Sequence, residues 1–118
     1  MSKKKVLCIM DDIYQLIGLE DNTGIKFVEY EGLHEDQGQR YAPGAVARYL
    51  RQKGREFDAI AVYDWKEYRD VIEEAITNFD RPIILFGDNK NLQLSGNIIR
   101  VPTVVLPSKF RRLIEGKL

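Results

Sequence analysis

Four aspartates stand where apolar runs give way to polar sequence. "VLCIMDD" sets Asp11 and Asp12 directly behind a five-residue apolar run, "AIAVYD" ends on Asp64, and "IILFGD" carries Asp88 one residue beyond Gly87. Carboxylates gathered in one place repel. Two of them about 4 Å apart cost roughly 4 kcal/mol at an effective dielectric of about 20. A divalent cation relieves that repulsion, and a hard, oxygen-rich site with few protein ligands suits Mg²⁺. If the first and third apolar runs lie side by side, Asp11, Asp12 and Asp64 converge on such a site. A plainer role fits two of them as well. Asp12 precedes Gln15 by three residues and Asp64 precedes Glu67 by three, the spacing of a capping box. An aspartate used that way contributes about 1 kcal/mol to starting a helix and needs no ligand. Asp11, at the last position of a strand, is not placed to cap the helix that follows.

The elements that must position these residues are legible from hydropathy. Residues 6–10, 59–63 and 83–86 are short, nearly continuous apolar runs, the pattern of parallel strands covered on both faces. Residues 25–30 alternate instead, with Ile25, Phe27 and Glu29 on one side, which predicts a more exposed strand. Residues 98–101 and 104–106 are two candidates for a last strand. Pro102 lies between them, and proline is poorly placed inside a central strand.

Between the runs the period becomes helical. Tyr68, Val71, Ile72, Ala75, Ile76 and Phe79 build one apolar stripe. Ile13, Leu16 and Ile17 predict a shorter helix. Val46, Tyr49 and Leu50 predict another, punctuated by Pro43 at its start and Gly54 at its end. Phe110, Leu113 and Ile114 predict a last one. Residues 89–96 carry only the pattern of a turn or loop. The alternation predicts a doubly wound α/β domain, a three-layer sandwich with a five-stranded parallel sheet and flavodoxin-like strand order 2-1-3-4-5. In such sheets ligands bind beyond the carboxyl ends of the strands, where strand order reverses. All four aspartates fall at that end.

Composition narrows the function classes. At 118 residues, the length predicts a single domain, residues 1–118. Lys plus Arg equals Asp plus Glu, 18 against 18, so no net field draws the chain to nucleic acid or to an anionic membrane surface. Lys3, Lys4 and Lys5 precede an apolar run far shorter than a signal peptide or a membrane span. A soluble, cytoplasmic protein is expected. The one cysteine, Cys8, lies inside the first apolar run and reads as a small buried hydrophobe.

The motifs resemble one known family, the response-regulator receiver domain. "IMDDIY" looks like its acidic pair after the first strand, "IAVYDW" like its acceptor strand with Asp64, and "VVLPSKF" like its lysine segment with Lys109. The resemblance spans essentially the whole chain. It implies Mg²⁺ on Asp11 or Asp12 together with Asp64, attack by Asp64 on a phosphodonor, and Lys109 paired with the phosphoryl oxygens. The phosphoryl group would then bias a surface that a protein partner reads, as in a two-component signal-transduction system. The family's Ser or Thr after the fourth strand falls at Phe86 or Gly87, and "DWKEYRDV" runs into its helix without the family's Pro- and Gly-containing loop. These departures resemble a degenerate, pseudo-receiver form, which keeps the fold and acts through binding. A protein partner is expected, a second copy of the chain being one form it could take.

Residues 31–44, "EGLHEDQGQRYAPG", are long for a βα connection, and loops of this length are often lids or binding elements. His34, the one histidine, could reach over the acidic end with Glu35 and Asp36 as acid–base or metal groups; an ordinary solvated loop explains them as simply. A second function class follows: a small metal-dependent enzyme acting on a nucleotide or phosphoester, with Asp11, His34 and Asp64 around the metal. A third is an interaction module without a small ligand. Tyr41, Tyr49, Tyr63, Trp65 and Tyr68 are aromatics of the kind that anchor interfaces, although core or rim positions account for most. The basic last helix, with Lys109, Arg111, Arg112 and Lys117, suits an acidic partner or a solvated face.

Overall fold

The structure, a computed structural model, describes residues 4–9, 24–30, 44–65, 68–87, 97–102 and 105–118. Five strands, β1 (Lys5–Cys8), β2 (Lys26–Glu29), β3 (Ala59–Tyr63), β4 (Ile83–Phe86) and β5 (Ile98–Val101), form one sheet in the order β2-β1-β3-β4-β5. Every pairing is parallel. The helices are α1 (Ala45–Lys53), α2 (Arg69–Asn78) and α3 (Pro107–Ile114), with a 3₁₀ turn at Gly54–Glu56. This is the flavodoxin-like α/β arrangement that the alternation of periods predicts.

Burial follows strand position. All residues of β3 and β4 are buried, whereas β2 at the sheet edge is exposed at both ends and half-buried between them. A strand with two covered faces has no position for a polar side chain, and the alternating β2 sequence is the signature of the edge. Of the two candidates for the last strand, residues 98–101 form β5. The proposed helix at Ile13, Leu16 and Ile17 and the turn at 89–96 lie outside the described residues.

Register assigns the faces. Val6 pairs with Phe27 and with Ala59, and Tyr63 pairs with Phe86, so these side chains share one face. Helix α3 covers it, with Phe110 6.1 Å from Phe27 and 5.8 Å from Phe86 between ring centroids. Helices α1 and α2 pack together on the other face. There Tyr49 of α1 meets Tyr30 edge to face at 4.9 Å, and Val71, Ile72 and Ala75 of α2 are buried.

The start of α1 is capped from outside its own sequence. Gly44, its N-cap, has φ 85°, a left-handed conformation that suits glycine, and has no side chain with which to cap. Its N–H donates to Oε1 of Glu74 in α2 at 2.6 Å. The carboxylate thus satisfies a free donor and places negative charge at the positive helix end, tying α1 to α2. Cys8 is buried and is not in a disulfide. No helix among the described residues is long and apolar enough to cross a membrane.

Candidate functional site

The carboxyl ends of β3, β4 and β5 bring Asp64, Gly87 and Arg100 together. Asp64 continues the ladder beyond β3, its N–H donating to the carbonyl of Phe86 at 2.9 Å, and Gly87 does the same beyond β4, donating to Val101 at 2.8 Å. Leu85 is registered with Val62 on one side and Arg100 on the other. With side chains alternating along each strand, Arg100, Gly87 and Asp64 all belong to the face of Val62 and Leu85.

Asp64 is the buried charged residue among the described core positions. Its side chain is 2% exposed, and Nη1 of Arg100, whose side chain is 41% exposed, lies 3.3 Å from Oδ2. The two residues belong to strands separated by β4. Strand spacing in a sheet is about 4.8 Å, so arginine spans roughly 10 Å of backbone separation to reach this carboxylate. The crossing passes over β4, where Gly87 presents no side chain. A Cβ at Gly87 would stand 2.8 Å from Cβ of Asp64, closer than real Cβ atoms pack. Glycine therefore permits both the close approach of the strand ends and the passage of the guanidinium.

The capping-box reading of Asp64 is not realised in α2. The N-cap of α2 is Tyr68, which makes no side-chain cap bond, and the chain turns into the helix through a Tyr68 N–H bond to the carbonyl of Trp65 at 3.0 Å. Asp64 serves an ion pair instead. Arg100 was not among the residues singled out by spacing or resemblance, and a signal for it exists in "IIRV": a lone charge in a short apolar strand must find a partner or reach water. Lys109 sits on the exposed first turn of α3 and makes no ion pair among the described residues. The cation on Asp64 is that of Arg100.

Asp11, Asp12, His34 and Asp88 lie outside the described residues. Among the described residues no group of three or more His, Cys, Asp or Glu is placed to hold a metal ion. The donor set for Mg²⁺ is thus represented here by Asp64 alone, with one oxygen already engaged by a guanidinium.

An aromatic series follows at the same end of β3. Trp65 stacks on Tyr63 with centroids 4.3 Å apart and planes within 5°, and Tyr68 meets both at a tilt. Tyr63 in turn meets Phe86 edge to face at 6.4 Å. Tyr63 and Tyr68 are core residues, while Trp65 is 45% exposed. The outermost ring stacks on its buried neighbour and presents an exposed apolar surface one residue after Asp64 in the chain.

Fold and site define a flavodoxin-like α/β domain with a buried carboxylate paired to a partly exposed guanidinium at the end of the sheet where such folds bind their ligands. Comparison of the chain with models of known families, with curated proteins and with solved structures finds no significant match in any of the three.

Proposed function

We propose that this chain is a receiver-like regulatory module that acts by binding a protein partner, with Asp64 held in an internal ion pair rather than offered as a phosphoryl acceptor. The observation that carries this reading is the burial of the Asp64 side chain beneath Arg100. A carboxylate that attacks a phosphodonor must bring an oxygen into line with the phosphorus, which requires an open approach. The pair fixes the relation of β3 to β5 across β4. Trp65, rigid and half-exposed, supplies the kind of aromatic anchor that interfaces favour.

The reading is tested by incubating the protein with acetyl phosphate and Mg²⁺ and recording its intact mass. No phosphoryl adduct is expected. An adduct present in the native protein and lost in Asp64→Asn would overturn the proposal in favour of an active phosphoryl acceptor.

A further inference from the structure

At the amino ends of the strands, opposite to Asp64, the last turns of α1 and α2 enclose a cleft of about 560 Å³, within the roughly 300–1,000 Å³ typical of small-molecule sites. Three guanidinium-bearing residues line it: Arg51, Arg55 and Arg81. None forms an ion pair with a carboxylate among the described residues, although the chain holds as many acids as bases. We propose that this cleft is a binding site for a small phosphate monoester with an apolar ring or chain, a role separate from the receiver-like reading and independent of it.

Arg81 is pre-set for this task. Its Nη1 donates to the carbonyl of Arg55 at 3.1 Å and also to the carbonyl of Phe57. This grip orients the guanidinium on the cleft wall and leaves its Nε and Nη2 hydrogens without a partner among the described residues. A planar fork fixed in this way matches phosphate oxygens with little loss of side-chain freedom on binding. Arg51 and Arg55 line the same cleft from exposed positions.

Helix ends attract basic residues in any case, so charge has to be counted. Each helix carboxyl end carries about half a negative charge, and Asp80 adds one carboxylate to the lining. Together these offset about two of the three arginine charges, leaving a positive site. Within a mainly polar lining, a smaller apolar floor is made by Leu50 and Phe79, both largely buried, and the half-buried Ile76. Phosphate at the arginines with an apolar group against this floor satisfies both halves of the cleft.

The test is a titration of the full chain with phenyl phosphate and, separately, inorganic phosphate, followed by amide chemical shifts at constant ionic strength. Saturable shifts confined to residues 50–55 and 76–81 are expected. Phenyl phosphate should bind at least about threefold more tightly than inorganic phosphate, from burial of its ring. The double variant Arg51→Gln/Arg55→Gln should bind at least about tenfold more weakly, by loss of charge-assisted bonds, with its melting temperature unchanged. If the double variant melts early, Arg51→Gln alone is used, since Arg51 lies on the exposed side of its helix. Shifts that never saturate, shifts centred elsewhere, or an unaltered affinity in the variant would overturn the site. Equal affinity for the two phosphates would overturn its apolar half.

Discussion

Arg100 reaches across β4 to Asp64, placing Nη1 3.3 Å from Oδ2, so that two strands not hydrogen-bonded to each other are joined by a charge pair. Removing one partner leaves the other's charge without compensation, which in a fully buried pair costs roughly 3–5 kcal/mol. Arg100 is partly open to water, so solvent can replace some of the lost interaction. Arg100→Ala is therefore expected to destabilise the fold by about 2 kcal/mol, measured by urea unfolding with the slope unchanged.

Glycine at 87 is required by contact with a neighbour. A Cβ there would lie 2.8 Å from Cβ of Asp64, whereas one at Gly54 would meet only Phe79 and Leu50 at 3.6 Å and beyond. Gly87→Ala is expected to cost about 1–3 kcal/mol through overpacking. Gly54, in right-handed helical conformation, should accept alanine with a gain of up to about 1 kcal/mol. Thermal unfolding of the two variants side by side gives opposite signs if this contrast holds.

Glu74 supplies the cap that Gly44 lacks, its Oε1 accepting the Gly44 N–H at 2.6 Å. Its other oxygen, Oε2, is buried with no hydrogen-bond partner among the described residues, so the carboxylate's contribution rests on the single bond and on the helix end. Glu74→Ala should destabilise by about 1 kcal/mol. Amide hydrogen exchange should accelerate first in the opening turn of α1, before α2 and the sheet are affected.

The parts of the fold that depend on local pattern were readable in the chain. The apolar runs at 59–63 and 83–86 become the fully buried β3 and β4, the alternation at 25–30 marks edge strand β2, and the stripe from Tyr68 to Phe79 gives α2 its buried side. Strand ends are less legible, because the first run continues two residues past the end of β1 at Cys8. What local pattern could not supply was pairing at a distance. The partner of Asp64 is fixed by the register of β5 on β4, a property of the assembled sheet that neither spacing nor family resemblance encodes. Gly87 was visible as a residue after the fourth strand, but its reason, the approach of Asp64, exists only in three dimensions. The cap of α1 comes from a side chain thirty positions away, which no capping motif encodes.

The central claim is that Asp64 is committed to Arg100, and a double-mutant cycle addresses it most directly. Asp64→Asn, Arg100→Met and the double variant are compared with the native chain by urea unfolding. The expected result is a coupling energy of about 1–3 kcal/mol, with the double variant more stable than the sum of the single losses allows. A coupling indistinguishable from zero, with the losses simply adding, would contradict the account and leave Asp64 free for another role.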